Sequence, residues 1–327
     1  MSSERVVAIV GAGHVGTAAA YALFLRRLAS EILLVDADAK RAEGEAMDLM
    51  HAQALVGPTR VRAVGIDALG DAAIVVLAAG AAQRPGETRL DLLERNARTT
   101  VDLIHALDRH APEAVLLVAT NPVDLATHVA QQASARPAGR IVGTGTILDT
   151  ARFRALLGRH YGLDPRSVHA YIVGEHGDSE VPVWSGATIG GLAIRTTTIR
   201  GKSFDEGAMN AIFAEVRDAA YAIIARKGHT DLAIGAAIAQ LVEAILDDAR
   251  SVLPVSVRLQ GEYGLDGPCL GLPCVVGREG IDSTLAPPLD EGELAALRSS
   301  AVALRERLGG LTHALERTVR ADGRATA

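Results

Sequence analysis

The chain has 327 residues, which is enough for one large or two medium domains with a substantial core. Hydrophobic residues make up 49% of it but aromatic residues only 3%, so Ala, Val, Leu and Ile must build most of that core. The net charge of −6 argues against a nucleic acid or an anionic membrane surface as the main partner.

No apolar run reaches membrane-spanning length, and no signal peptide precedes the first predicted strand. We therefore expect a cytoplasmic protein without a membrane partner. The two cysteines, Cys269 and Cys274, form neither a disulfide nor a zinc framework, which fits burial in a protein of a reducing compartment. The sequence predicts no metal site.

Strand and helix patterns alternate through the first half of the chain. Strands are predicted in "RVVAIVGAG", "EILLVDAD", "AAIVVLAAG", "EAVLLVATNP" and "GRIVGTG", and helices in "HVGTAAAYALFLRRLA" and "AKRAEGEAMDLMHA". Nearly continuous apolar strands separated by helices indicate a parallel sheet covered on both faces. The prediction is an α/β fold whose first domain, residues 1–143, is a Rossmann-type doubly wound sheet.

The pattern changes after about Gly143. The helix "LDTARFRALLGRHYG" is followed by a predicted strand "SVHAYIVGEHG", short β segments, two long helices, the β segments "SVLPVSVRL" and "PCLGLPCVVG", and a last helix. This order predicts a mixed α+β catalytic domain over residues 144–327. No linker separates the halves, so we expect a shared interface with a cleft.

Three glycines follow the first strand with the spacing G-x-G-x-x-G. Gly11, Gly13 and Gly16 end a strand and open a helix, where they allow a tight turn, close approach of a pyrophosphate and close helix packing. Asp36 ends the second strand and can accept hydrogen bonds from ribose hydroxyls, while the two residues after it supply no cation for a 2′-phosphate. The pattern predicts an NAD site, against the alternative of a glycine-rich turn beside a strand-end acid.

Four polar residues further along suit the reduction of a carbonyl. His176 lies in the polar turn "GEHGDSE", Asp149 and Arg152 share one face of a helix start, and Asn121 follows a strand. A histidine can donate the proton that a reduced carbonyl needs, a carboxylate favours its charged form, and an arginine can bind a substrate carboxylate. The implied substrate is a 2-oxo acid. Three of these residues have a structural alternative: His176 as a structural histidine, Asp149 as a helix-start acid and Arg152 as a surface cation.

At these residues the sequence closely resembles the L-lactate dehydrogenases of the lactate/malate dehydrogenase family. The resemblance covers nearly the whole chain in the order of the family. The matching stretches are "GAGHVGTAAAYAL", "EAMDL", "AGAAQRPGETRLDLLERN", "ATNPVDL", "GTGTILDTARFR", "HAYIVGEHGDSEVPVWS" and "KGHTDLAIG". It implies an NAD-binding domain followed by a mixed α+β catalytic domain.

The resemblance also implies a role for individual residues. His176 resembles the acid/base and Asp149 its partner; Arg152 resembles the substrate-carboxylate clamp and Arg89 the cation that polarises the carbonyl. Further implied substrate-binding residues are Gln83, Asn121 and Thr230. The implied cofactor contacts are Gly11, Gly13, His14, Val15, Gly16, Asp36, Ala79 and Asn121.

The stretch "AGAAQRPGETRLDL" is expected to act as a lid. Gly80 and Gly86 allow it to bend, so that Arg89 reaches the substrate, although a static polar loop is the alternative. Malate dehydrogenases of the family usually carry Arg at the position of Gln83, where it neutralises the second carboxylate of oxaloacetate. The neutral Gln83 therefore favours pyruvate and L-lactate. An inward-facing Arg84 would restore malate activity.

The resemblance extends to assembly and control. Arg154 and His169 match positions at which many bacterial members bind fructose 1,6-bisphosphate across a two-fold axis, and the bacterial type is usually a homotetramer. An exposed helix arginine and an interface histidine are the alternative interpretation, and some related enzymes that keep both residues depend little on the activator. A non-catalytic NAD-binding sensor is the remote alternative for the whole chain.

Overall fold

A nine-stranded sheet runs through the protein, and its strands come from both halves of the chain. The computed structural model describes residues 5–80 and 89–325, with side chains over 5–80 and 92–310. Its strands are β1 (Val6–Val10), β2 (Glu31–Val35), β3 (Arg60–Ala63), β4 (Ile74–Leu77), β5 (Val115–Val118), β6 (Ile141–Gly143), β7 (Val168–His169), β8 (Ile172–Val173), β9 (Val181–Pro182), β10 (Thr188–Ile189), β11 (Leu192–Ala193), β12 (Ser251–Gln260), β13 (Asp266–Gly277) and β14 (Gly280–Thr284). The helices are α1 (His14–Arg26), α2 (Ala39–His51), α3 (Gln53–Val56), α4 (Arg89–His110), α5 (Val123–Ala133), α6 (Ile147–Tyr161), α7 (Glu206–Lys227), α8 (Leu232–Leu246) and α9 (Glu291–Ala325). Among these described helices, none combines the length and the apolarity needed to cross a membrane.

The first six strands of the sheet are parallel and lie in the order β3-β2-β1-β4-β5-β6. In the register, Val10 of the central strand β1 pairs with Val35 on one side and with Leu77 on the other. Strand β1 thus lies inside the sheet, β2 and β3 follow on one side of it, and β4, β5 and β6 follow on the other side. This topology confirms the predicted doubly wound sheet, and it brings the carboxyl ends of β1, β2, β4 and β5 to one edge, where such folds bind ligands.

Helices cover both faces of this sheet, as the apolar strands require. On one face, Leu23 and Phe24 of α1 join Leu241 of α8 in a buried cluster with strand residues. On the other face, Ile104 and Leu107 of α4 are fully buried against the sheet. Because α8 belongs to the second half of the chain, the core of the first half is closed by a helix from the second.

The sheet continues past the predicted domain boundary. Strand β12 pairs antiparallel with β6 through Ser256 and Gly143, and β13 and β14 extend the sheet further. A Cβ on Gly143 would lie 2.6 Å from the Ser256 Cβ, so a glycine is needed where the two strands meet. The division at residue 143 stays a prediction, and the two halves share one sheet.

The prediction of one strand over "SVHAYIVGEHG" is wrong. The segment contains two short strands in different sheets, since β7 pairs with β10 whereas β8 pairs with β9. The cause lies in helix α6: the Thr150 hydroxyl accepts from the Ile172 N–H at 2.9 Å, and the Thr146 hydroxyl donates to the Ile172 carbonyl at 2.7 Å. Side chains therefore bind the backbone groups that a continuous strand would use for pairing.

Two glycines within helices provide a test of the contact between the halves. A Cβ at Gly235 of α8 would lie 2.7 Å from the backbone carbon of Ala18 in α1. A Cβ at Gly44 of α2 would have no atom of the described residues within 4 Å. We expect Gly235→Ala to lower the free energy of unfolding by about 1–3 kcal/mol, because the helices must separate. Urea denaturation followed by circular dichroism measures the change.

The same substitution at Gly44 is the matched control. Alanine favours a helix over glycine, so Gly44→Ala should raise the free energy of unfolding by about 0.5–1 kcal/mol. Equal effects of the two substitutions would contradict the close contact between α1 and α8.

Candidate active site

The loop between β1 and α1 has the geometry of a phosphate-binding turn. Gly11 has φ +104°, and a Cβ there would lie 2.6 Å from the Ala79 nitrogen; a Cβ on Gly16 would lie 1.9 Å from the Gly11 carbonyl oxygen. Within the described part of the chain, no atom lies within 4 Å of the Cβ position of Gly13. The first and third glycines are therefore required by packing, while the second leaves space for a ligand at the start of α1.

Asp36 binds the glycine loop directly. Its Oδ2 accepts from the Ala12 N–H at 2.8 Å and its Oδ1 from the Asp38 N–H at 2.8 Å. The carboxylate remains partly exposed in a cleft of about 730 Å³ at the carboxyl ends of β1, β2 and β4. This cleft also contains Gly11, Gly13, Ala78, Ala79 and Gly80. An open glycine, free helix N–H groups and a strand-end carboxylate in one cleft fit a dinucleotide.

The ends of β4 and β5 lie side by side at this cleft. The Thr120 hydroxyl donates to the Ala79 carbonyl at 2.7 Å, which joins the two strand ends. Asn121 follows with an exposed side chain and a cis peptide bond to Pro122. Asn121 and Ala79, both predicted cofactor contacts, are thus neighbours. Val15 lies in the first turn of α1, partly buried.

His176, Asp149 and Arg152 meet in one cluster. The His176 Nδ1 lies 2.5 Å from the Asp149 Oδ2, and the Arg152 guanidinium donates to the Asp149 Oδ1 at 2.9 Å. The Asp149 side chain is only 3% exposed, whereas that of His176 is 25% exposed. Helix α6 carries Asp149 in its first turn and Arg152 three residues later, so both side chains lie on one face of the helix beside the imidazole.

The pKa of His176 follows from these neighbours. Burial lowers it, but the negative charge of Asp149 and its hydrogen bond raise it by more, and Asp124 and Glu180 add to the effect. The result is a pKa raised to about 9. At neutral pH the imidazole is therefore charged, with Nδ1 bound to Asp149 and Nε2 left as a proton donor.

Asp124 fixes the backbone at this position. Its Oδ2 accepts from the His176 N–H at 2.7 Å, and its Oδ1 accepts from the Ser256 hydroxyl at 2.6 Å. Burial raises the pKa of Asp124 to about 6, although both hydrogen bonds oppose this increase. One buried carboxylate on α5 thus connects the histidine turn to strand β12.

Two glutamates beside the histidine are also buried. Glu175 accepts from the Ser179 hydroxyl and pairs with Arg307 of α9. Glu180 is only 6% exposed, and its Oε1 has no hydrogen-bond partner within the described part of the chain. Burial raises the pKa of Glu180, and the charge of Asp149 raises it further.

Thr230 and His14 lie at the border between the halves. Thr230 is partly buried in the connection from α7 to α8, next to His229, whose ring stacks on the ring of His14. Gln83 and Arg84 lie outside the described residues. The backbone of Arg89 begins α4, while its side chain is not among those described.

Arg154 and His169, the predicted effector residues, lie on α6 and β7. The Arg154 Nε donates to the Ala170 carbonyl at 2.9 Å, and its guanidinium carbon lies 5.0 Å from the centre of the Tyr171 ring. His169 is exposed. Neither residue has a described contact with the cluster around His176.

Three further residues at this site were not predicted from the sequence: Thr120, Asp124 and Glu180. A weak signal existed for Asp124, an acid inside the otherwise apolar helix start "VDLA" directly after "TNP". Glu180 could be recognised only as one more acid in a polar turn. The charges that act on it, those of Asp149 and Arg152 on α6 and of Arg217 on α7, come from other segments of the chain.

Comparison with known proteins agrees with this architecture. Residues 5–143 match the family model described as lactate/malate dehydrogenase, NAD binding domain, and residues 146–314 match that of the lactate/malate dehydrogenase, alpha/beta C-terminal domain. The L-lactate dehydrogenase of Salinibacter ruber is 62% identical over 313 residues, which cover 95% of this chain and 99% of that protein. The L-lactate dehydrogenase of Nitratidesulfovibrio vulgaris is 48% identical over 306 residues, which cover 93% of this chain and 99% of that protein.

A solved structure of an L-lactate dehydrogenase is also similar to this chain. The crystal structure of a minor L-lactate dehydrogenase from Enterococcus mundtii in a ligand-bound form superposes with a TM-score of 0.91 at 40% identity. The match covers 94% of this chain and 98% of that one. The predictions of the family and of NAD as the cofactor are confirmed. The chain belongs to the lactate/malate dehydrogenase family and is an NAD-dependent dehydrogenase.

Proposed function

We propose that the protein catalyses the reversible transfer of hydride between NADH and pyruvate, giving L-lactate, with His176 as the acid/base. The observation that carries this proposal is the pairing of His176 with Asp149 at 2.5 Å beside Arg152. The names of the relatives support the substrate, since the proteins from Salinibacter ruber and Nitratidesulfovibrio vulgaris are both L-lactate dehydrogenases.

Each residue of the cluster has a separate task in this proposal. When bound, the nicotinamide supplies the hydride for reduction and accepts it in the reverse reaction. His176 donates a proton from Nε2 to the carbonyl oxygen, while Asp149 holds Nδ1 and stabilises the imidazolium. Arg152 keeps guanidinium donors beyond the one given to Asp149, and these bind the substrate carboxylate in a bidentate manner.

The cofactor is held by Gly13, Asp36 and the first turn of α1, with Val15 and Asn121 nearby. Asp36 combines two functions, since it binds the Ala12 N–H and presents the rest of its carboxylate to the ribose. Its negative charge also opposes a 2′-phosphate, which favours NAD over NADP.

Gln83 and Arg89 complete the proposed site, and both are assigned to it from the sequence alone. Arg89 polarises the carbonyl, and Gln83 contacts the substrate methyl end without supplying a charge. A malate dehydrogenase is the second candidate, and the neutral Gln83 disfavours it because the second carboxylate of oxaloacetate would lack a partner. A non-catalytic NAD sensor is disfavoured by the cluster of His176, Asp149 and Arg152.

The decisive experiment compares the wild type with His176→Asn. We expect NADH oxidation on addition of pyruvate, and a reduction of kcat by about 10²–10⁴-fold in the variant, because the proton donor is lost. NADH binding, measured by fluorescence, should remain, since the dinucleotide cleft lies apart from His176. A variant with more than a tenth of the wild-type kcat would contradict the role of His176.

The pH profile tests the same role. The kcat/KM of pyruvate reduction should be constant at neutral pH and fall as the pH rises through about 9, where the free enzyme loses the His176 proton. In Asp149→Asn the fall should move to lower pH by about 1–3 units, because the carboxylate that favours the imidazolium is gone.

Substitution of Gln83 tests the choice of substrate. We expect Gln83→Arg to move the ratio of kcat/KM for oxaloacetate over pyruvate upward by about tenfold or more, because a new cation pairs with the second carboxylate. Gln83→Asn, which keeps the side chain neutral, is the control. An unchanged ratio in the arginine variant would show that specificity resides elsewhere.

We further propose a homotetramer in which Arg154 and His169 of two copies bind fructose 1,6-bisphosphate across a two-fold axis. Two observations support this arrangement: His169 is exposed, and Arg154 of α6 donates to the carbonyl of Ala170, the residue that follows His169. The exposed apolar side chains of Tyr21, Leu25 and Met47 on α1 and α2 support contact between copies.

Effector titration tests this arrangement. The KM for pyruvate at neutral pH should fall with added bisphosphate in the wild type and stay constant in Arg154→Gln, because the phosphate loses its cation. A wild-type KM that does not respond to the bisphosphate refutes the effector site, and sedimentation velocity gives the number of chains separately.

A further inference from the structure

Three potential metal ligands from both halves of the chain lie together beside the glycine loop. His14 is the first residue of α1, whereas His229 and Asp231 lie in the connection between α7 and α8. One ligand atom from each lies within 4.8 Å of the others. This cluster could not be recognised from the sequence, because His14 and His229 are 215 positions apart.

His229 and Asp231 already lie at nearly the separation that a bound cation requires. The His229 Nε2 lies 3.1 Å from the Asp231 Oδ2. A tetrahedral cation bound at about 2.0–2.2 Å requires ligand atoms about 3.3–3.5 Å apart, so a small opening of this hydrogen bond admits the ion. The cation takes the Nε2 lone pair of His229, which binds it as the neutral tautomer with its single ring hydrogen on Nδ1.

The second oxygen of Asp231 is held in place from outside the cluster. Its Oδ1 accepts from the Leu232 N–H at 2.7 Å and from the Lys227 ammonium at 2.5 Å. These donors leave Oδ2 directed at His229. Donors that orient a ligating carboxylate in this way are typical of metal sites.

His14 is the ligand that has to move. Its ring stacks on His229 with centroids 3.8 Å apart and an angle of 10° between the planes. Parallel rings do not direct their nitrogens to one point, so the His14 ring must turn about its own side-chain bonds. His14 is exposed and the other two are partly exposed, which leaves both the ring free to turn and the cation free to enter.

We propose that His14, His229 and Asp231 form a binding site for a divalent cation of the zinc class, with water as the fourth ligand. Two imidazoles and one carboxylate select zinc, nickel or copper over magnesium and calcium, which prefer oxygen ligands. The bound cation joins the glycine loop to the segment that carries Thr230. It therefore stabilises the contact between the two halves.

Zinc binding to the full-length protein tests the proposal without any assay of turnover. Equilibrium dialysis against buffered Zn²⁺ at neutral pH should give one tightly held ion per chain. The midpoint of thermal unfolding should rise with Zn²⁺ and return after chelation. Mg²⁺ at the same concentration should leave the midpoint unchanged.

Three histidine variants locate the site. We expect His229→Ala and His14→Ala each to weaken zinc binding at least tenfold and to abolish the thermal shift. His105→Ala, which removes an exposed histidine from α4, should behave as the wild type. If either cluster variant binds zinc like the wild type, or if His105→Ala loses binding equally, the proposal is wrong. Since the two cluster variants change different elements, failure of one to fold leaves the other as the test.

Discussion

The buried carboxylate of Asp124 is the constraint on which the cluster of His176, Asp149 and Arg152 depends. A carboxylate removed from water costs several kcal/mol unless hydrogen bonds replace the lost solvation. Here the donors are the His176 backbone N–H and the Ser256 hydroxyl, from two segments far apart in the chain. The need to satisfy Asp124 therefore holds α5, the histidine turn and β12 in one arrangement, whatever the substrate.

With the backbone fixed, the charges around His176 determine its protonation. Asp149 lies between two cations, since it binds both the His176 imidazole and the Arg152 guanidinium. The negative charge of Asp124 also acts on the imidazole and raises its pKa, so two carboxylates offset the two cations. Burial and the charge of Asp149 raise the pKa of Glu180 to about 8. In the proposed reaction the substrate carboxylate therefore depends on the remaining guanidinium donors of Arg152 and not on a surplus of positive charge.

Local patterns in the sequence predicted the parts of the structure that local forces determine. The glycine spacing and Asp36 identified the dinucleotide cleft, and the spacing of Asp149 and Arg152 placed both on one face of α6. What the sequence could not predict depends on contacts between distant segments. The hydrogen bond from Ala12 to Asp36 joins two separate segments of the first half. The burial of Asp124 and the stack of His14 on His229 arise only after the halves have packed. The division of "SVHAYIVGEHG" has the same origin, because threonines of α6 bind the Ile172 backbone.

The pairing of β12 with β6 determines how far this protein can be taken apart. In a fragment that ends near residue 143, β6 would become an open edge whose backbone groups and apolar side chains face solvent. Such an edge invites pairing with other chains and aggregation. Loss of α8 would also uncover the face of the sheet that Leu241 helps to bury. Each half matches a family model of its own, but the two halves together form one folding unit. If the dinucleotide-binding half were exchanged between relatives, the surfaces of β12 and α8 that contact it would have to be exchanged with it.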